Sequence, residues 1–202
     1  IENTTSLPRS TQLPRPKFYV AALNTPDSFE FAGRAGHAVM AIPFAATRMR
    51  PLLAAYRKAW TAAGHPGRGE VMLAFHLFCD PDGERAREFA APLLDNYLRS
   101  LVEAASDWLD GPISADYPGY DKVIAGLQAS NAAAQIASGA AWIGSPAEIA
   151  ATIERLEREF GGFEHASLQV NFNLMPFPAA LASMRLFAQQ VMPRFHPGTL
   201  AE

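Results

Sequence analysis

KFYVAALNTPDSFEFAGRAGHAVMAIPF, residues 17–44, contains the pattern that decides the fold. Two apolar runs, residues 17–23 and 38–44, flank a segment that opens with Thr25 and Pro26, a pair typical of a helix start. Both runs are apolar at successive positions, which is typical of strands buried on both faces of a parallel sheet. The stretch therefore predicts a strand-helix-strand unit.

The same unit recurs along the chain. Residues 71–79 and 166–172 are two further apolar runs that predict strands. Between the runs at 38–44 and 71–79, residues 47–64 have one apolar stripe at helical spacing, with Thr47 able to cap the start and Gly64 the end. This order predicts an α/β fold with four parallel strands and covering helices.

The two helices near the end of the chain have the clearest boundaries. Ser145 as N-cap and Glu148 three residues later form a capping box, and the glycines after Phe160 stop that helix. The last helix is predicted to begin near Pro178 and to end before Pro193. Both helices present one apolar face, as helices that cover a sheet do.

Two parts of the chain lie outside this repeat. Residues 1–16 are predicted to be an extended leader or linker before a barrel segment over residues 17–202. A mostly helical excursion over about residues 109–142 follows a helix that we expect Pro92 to interrupt. The excursion opens with a turn rich in Gly, Pro and Asp. Its Ala-rich part predicts a helix or, alternatively, a partly ordered linker.

Composition limits the classes of function. The chain has 202 residues, 49% hydrophobic content and a formal charge of -3, with acids and bases interspersed. It therefore has neither the basic surface typical of nucleic-acid binding nor a cationic face for a membrane. Cys79 is the only cysteine, which excludes an intramolecular disulfide and favours a reducing, cytoplasmic location. A small-molecule partner is expected.

Three stretches together resemble the bacterial-luciferase-like flavin-dependent monooxygenases. Residues 19–44 are similar to the fifth strand, fifth helix and sixth strand of that family. WIGSPAEIAATIERLEREFGGFEHASLQVNF, residues 142–172, resembles its "GSPEEVA" helix and last strand, and FPAALASMRLFAQQVMPRF, residues 177–195, its closing helix. The resemblance implies the C-terminal half of a TIM (β/α)8 barrel, with four further units upstream in family members.

The resemblance also implies an activity. An intact enzyme of this kind uses reduced flavin mononucleotide (FMN), supplied by a flavin reductase, and oxygen to oxidise a small organic substrate. Two alternatives remain open: a deazaflavin-dependent oxidoreductase with the same barrel, and a non-catalytic half-barrel subunit or fragment. The family keeps much of its catalytic machinery in the upstream half, so no catalytic residue is assigned. We expect this chain alone to be inactive, and to pair with that half or with a second copy of itself.

The turn after the first strand, residues 23–28, is the first candidate site. Asn24, Thr25 and Ser28 place amide and hydroxyl groups where a strand ends and a helix with free N–H groups begins, which is a favourable site for an anion. By resemblance these three residues hold the flavin phosphate. The alternative is that Thr25 only caps the helix, and the adjacent Asp27 disfavours a phosphate.

Candidates for ring and substrate contacts lie on the later strands. Met40, Ile42 and Phe44 share one face of the second strand, where they either fill the barrel or, for Met40 and Ile42, form a wall for the flavin.

His76 points to the face shared with Met72 and Phe78. It can orient a substrate or move a proton, although we favour a hydrogen-bonded structural histidine. Asn171 and Asn173 follow the last strand and are weaker candidates for substrate or flavin contact. The remaining histidines have no ligand-like spacing, so no metal site is expected.

Overall fold

The computed structural model describes residues 7–8, 11–13, 15–43, 46–106 and 120–195. These residues form five strands, seven α-helices and one short 3-10 helix, Met192–Arg194. The strands are β1 (Tyr19–Ala21), β2 (Ala38–Ala41), β3 (Val71–Cys79), β4 (Ala141–Gly144) and β5 (His165–Gln169). The helices are α1 (Pro26–Ala35), α2 (Ala46–Ala62), α3 (Gly83–Ala104), α4 (Tyr120–Gln128), α5 (Ala132–Ser138), α6 (Pro146–Phe160) and α7 (Phe177–Gln190).

All strand pairs are parallel, so the predicted α/β class is confirmed. β1 pairs with β2, and β2 pairs with the first part of β3. On the opposite edge from β2, Met72–His76 of β3 pair with β5, and His76–Cys79 pair with β4 beyond the end of β2. Among the described residues, β1 and β5 each have one edge without a neighbouring strand.

The two faces of the sheet differ in what covers them. On the outer face, alternate residues of β3 such as Val71, Leu73 and Phe75 are buried in a core formed with α1, α2, α6 and α7. On the inner face, α3, α4 and α5 cover only the part near the carboxyl ends of the strands, around Phe78 and Ile143. The rest of the inner face, towards the amino ends of the strands, is exposed, as expected for half of a barrel.

Strand β4 was not predicted. All four of its residues are buried, and the first two, Ala141 and Trp142, lie at the end of the predicted helical excursion. Trp142 of β4 belongs to the outer core and stacks on Phe75 at 4.2 Å between ring centroids, while Ala141 and Ile143 belong to the inner cluster. β4 therefore links the two cores.

Several predicted boundaries need correction. Helix α3 runs without interruption through Pro92, so the predicted break there is wrong. α2 begins at Ala46, which places Thr47 inside the helix rather than at its cap. The helical part of the predicted excursion consists of two helices, α4 and α5. Asn131 caps the start of α5, where its side-chain oxygen accepts a hydrogen bond from Ala134 N. The predicted turn before them lies largely outside the described residues.

The capping box of α6 is confirmed. Ser145 Oγ accepts from Glu148 N at 3.4 Å, and Glu148 Oε2 accepts from Ser145 N at 2.7 Å. The cap holds the pKa of Glu148 below its usual value, chiefly through the hydrogen bond from the Ser145 backbone. Gly161 ends the helix in the left-handed conformation, with φ of 71°.

A single carboxylate joins three strands at the amino-terminal end of the sheet. Glu70, just before β3, accepts hydrogen bonds from Lys17 Nζ at 2.5 Å and from the Tyr19 hydroxyl, and its Oε1 lies 2.8 Å from His165 Nε2. Burial alone raises the pKa of Glu70, but these hydrogen bonds outweigh it and lower the pKa to about 2. The cluster braces β1, β3 and β5 at the end of the barrel that serves stability.

Candidate functional site

The turn between β1 and α1 leaves its polar side chains available. Thr25 is the N-cap residue of α1, with extended backbone (φ -95°, ψ 116°), but its side chain makes no capping hydrogen bond. Asn24, Thr25 and Ser28 are all half-buried, and none makes a side-chain hydrogen bond to another described residue. The free hydroxyls and the uncapped helix start can therefore both face an incoming anion. Asp27, in the first turn, is exposed.

Met40 and Ile42 lie on the inner face of the sheet at and just beyond β2. Val39 and Ala41 point to the outer core and are 0% and 2% exposed, whereas Met40 is 37% and Ile42 41% exposed. Such exposure is unusual for large apolar side chains on a barrel strand, whose interior is normally filled. The two side chains are thus available as an apolar wall. Phe44, the third residue of this predicted set, lies outside the described residues.

A cavity of about 170 Å³ brings two of the predicted residues together. It lies at the carboxyl ends of β1 and β2, where Asn24 and Ile42 line it, and α2 and α4 close it from the sides. Thr25 and Ser28 do not line it. The other lining residues are Leu23, Arg48, Met49, Leu52, Lys122, Val123, Gly126, Leu127 and Gln135.

His76 is buried apart from that cavity. It is 7% exposed, and its ring meets Tyr97 of α3 at 4.8 Å and Phe172 at 5.2 Å, both edge-on. Nε2 is buried without a hydrogen-bond partner among the described residues, so the predicted hydrogen-bonded histidine is wrong for this atom. Burial lowers the pKa of His76 to about 4, which keeps the ring neutral at pH 7.

The segment after β5 carries the two asparagines. Asn171 is exposed and Asn173 half-buried, and Phe172 between them is the residue that covers His76. Asn173 and Leu174 both have left-handed backbone, with φ of 46° and 60°. Asparagine tolerates this conformation better than leucine does. The structure therefore places His76, Asn171 and Asn173 in one region, separate from the turn after β1.

Sequence reasoning missed Arg48 and Lys122. They occupy the first turns of α2 and α4 and line the cavity from opposite elements. Arg48 lies four residues before Leu52, and Lys122 lies four residues before Gly126, so both members of each pair lie on the same face of their helix. No local pattern shows that these two helices meet over the same strands.

The parallel α/β arrangement, with helices covering the outer face of the sheet, is that of half of a TIM-barrel protein. The sequence model of the luciferase-like monooxygenase family matches residues 1–162, which is most of the chain. The chain therefore belongs to the luciferase-like monooxygenase family. No significant match is found among curated proteins.

Solved structures with the same fold support this assignment. The chain is similar to the monooxygenase RslO1 from Streptomyces bottropensis, with 31% identity and a TM-score of 0.74, over 94% of this chain and 51% of that one. It also resembles the oxygenating constituent of 3,6-diketocamphane monooxygenase from Pseudomonas putida, in complex with FMN (20% identity, TM-score 0.66, 89% and 49% coverage). A coenzyme F420-dependent tetrahydromethanopterin reductase from Methanopyrus kandleri shares the fold (14% identity, TM-score 0.57, 89% and 51% coverage).

The chain spans about half the length of each of these structures. Within the part that the structure describes, no helix is long and apolar enough to cross a membrane. The same residues contain no group of three or more His, Cys, Asp or Glu side chains able to hold a metal ion.

Proposed function

We propose that this chain is the flavin-phosphate-binding half of a monooxygenase that uses reduced FMN and oxygen to oxidise a small organic substrate. One observation carries the proposal: the side chains of Asn24, Thr25 and Ser28 in the turn after β1 make no hydrogen bond to another described residue, and they lie at a helix start that no side chain caps. Anions are favoured at such a position because the positive end of the helix dipole points to it, and free hydroxyl and amide groups there can donate hydrogen bonds. Because the chain belongs to the luciferase-like monooxygenase family, we infer that this anion is the phosphate of a flavin.

The residues present fit the cofactor. Asn24, Thr25 and Ser28 would hold the phosphate, and Met40 and Ile42 would provide an apolar wall for the ring system. When bound, the reduced flavin supplies the electrons that activate oxygen. The protein positions the ring and excludes water from it, and the inner face of β2 is suited to this because its side chains there are apolar. His76, Asn171 and Asn173 would lie towards the substrate.

Partners follow from the same proposal. A flavin reductase would supply the reduced cofactor, and an upstream half or a second copy of the chain would complete the barrel. The proposal includes a cytoplasmic location, supported by Cys79, which is buried and free.

Thr25→Ala in the complete enzyme should weaken FMN binding by about tenfold to a hundredfold, and riboflavin binding much less. The reason is that a hydrogen bond to a charged group contributes about 1.5 to 3 kcal/mol, and riboflavin has no phosphate to accept it. Titration of both flavins, followed by flavin fluorescence, measures the difference.

Two controls make this test specific. Thr25→Ser retains the hydroxyl and should retain FMN affinity, and Thr61→Ala removes an exposed hydroxyl of α2 and should change neither affinity. Equal small losses for FMN and riboflavin would contradict a contact between Thr25 and the flavin phosphate. Preferential binding of a deazaflavin would favour hydride transfer instead.

A further inference from the structure

The cavity between α2, α4 and the ends of β1 and β2 has an apolar floor. Met49 and Leu52 of α2 and Leu127 of α4 are 2%, 7% and 5% exposed, so these side chains form a fixed, dry surface. At about 170 Å³, the cavity compares with engineered apolar cavities of roughly 150 Å³ that bind benzene. It can hold the body of a single ring.

The opening of the cavity is positively charged. Arg48 and Lys122 are exposed, and neither makes an ion pair or hydrogen bond with another described residue. Other exposed arginines are paired with carboxylates, as Arg87 is with Glu148 at 3.0 Å. None of the described residues that line the cavity is acidic. Two like charges beside one cavity repel each other, and a bound anion relieves that repulsion.

We propose that this cavity binds the anionic group and first ring of an organic acid, held by Arg48 and Lys122 above the apolar floor. The assignment rests on the proposed function and extends it by naming the substrate class. It is distinct from the flavin phosphate position, because Thr25 and Ser28 do not line the cavity. Asn24, which does, lies between the two positions and can donate its amide to either.

Benzoate is the probe, and benzyl alcohol is its uncharged counterpart of similar size. Calorimetric titration of the full chain in its native assembly should show saturable benzoate binding, about tenfold or more tighter than benzyl alcohol, because only benzoate forms charge-assisted hydrogen bonds. Absence of saturable benzoate binding at about 10 mM, tenfold above a millimolar Kd, overturns the proposal. Equal binding of both probes overturns it as well.

Gly126 allows the volume of the cavity to be tested without loss of fold. A Cβ added at Gly126 meets no atom within 4 Å, and glycine is the poorest helix former after proline. Gly126→Leu should therefore preserve or raise the melting temperature while its side chain fills the cavity and abolishes benzoate binding. Gly126→Ala is the matched control and should retain binding. Retained binding in a folded Gly126→Leu variant contradicts the site.

The charges are tested in parallel. Arg48→Gln and Lys122→Gln should each weaken benzoate by about tenfold. Arg50→Gln removes an exposed cation of the same helix that does not line the cavity, and it should have no effect. An equal loss in all three variants indicates general charge attraction and overturns the assignment.

Flavin titration separates this proposal from the proposed function. If Arg48→Gln and Lys122→Gln weaken FMN but not riboflavin, the cavity serves the flavin phosphate and the organic-acid assignment is wrong. If both variants bind FMN normally and lose benzoate, the assignment holds. Failure of Thr25→Ala to affect FMN bears on the flavin proposal alone.

Discussion

The free energy of unfolding of this chain should fall by about 3 kcal/mol as the pH is lowered from 6.5 to about 4, and His76→Gln should remove that fall. Burial lowers the pKa of His76 from 6.5 to about 4. Below pH 6.5 the unfolded chain therefore binds a proton that the folded chain does not. Proton uptake by the unfolded state alone shifts the equilibrium towards unfolding, so stability is highest above pH 6.5 and declines as the pH falls.

Urea unfolding at several pH values tests this expectation, with the variant measured under the same conditions. Glu70 acts in a lower window: its pKa is lowered from 4.5 to about 2, so its stabilising contribution is lost only below pH 4.5. Between pH 6.5 and 4.5, the change in the free energy of unfolding therefore reports on His76 and not on Glu70. Parallel curves for the native chain and His76→Gln would contradict the burial effect.

The same variant tests whether His76 is structural. The ring is enclosed by Tyr97 and Phe172, so its replacement should lower stability more clearly than turnover per folded enzyme. A large loss of turnover at an unchanged melting temperature would instead show that His76 acts on the substrate. Its Nε2, buried without a hydrogen-bond partner among the described residues, is the atom that such a role requires.

The sequence predicted the repeat because the apolar residues of β1, β2 and β3 are contiguous, and it predicted α6 because Ser145 and Glu148 form a local cap. β4 escaped because a strand of four residues has too little periodicity to separate it from the adjoining helices. Strand β5 is not apolar on both faces as predicted. In HASLQVN, polar residues alternate with apolar ones, and the polar set, including Ser167 and Gln169, lies on the open inner face.

The candidate site was partly predictable for a related reason. The turn residues Asn24, Thr25 and Ser28 are local in sequence, and their position after a strand was sufficient to identify them. Arg48 and Lys122 lie 74 positions apart, on helices whose packing depends on tertiary contacts. Sequence periodicity shows which face of each helix is apolar, but not which two helices share a cavity.

This chain should not be a monomer in solution at micromolar concentration. The inner face is less apolar than the sequence implied, because the Val, Leu and Phe side chains of β3 up to Leu77 point to the outer core. Large apolar side chains are nevertheless exposed: Met40 is 37% and Ile42 41% exposed on the inner face, and Phe18 is 50% and Phe31 52% exposed near His37, at the start of β2. Burying the exposed part of each contributes roughly 1 kcal/mol, so together they are comparable to much of the stability of a domain.

The open edges of β1 and β5 add unpaired backbone groups that a further strand can satisfy. Size-exclusion chromatography with light scattering measures the assembly, and the partner is either a second copy of the chain or the other half of the enzyme. Met40→Lys places a charge on the inner face and should weaken the assembly, whereas Ala151→Lys adds the same charge to the exposed face of α6 and should not. A folded monomer of the native chain would contradict the expectation. Because the chain spans about half the length of the monooxygenase structures that it resembles, we also expect the chain alone to show no oxygenase turnover when reduced flavin is supplied.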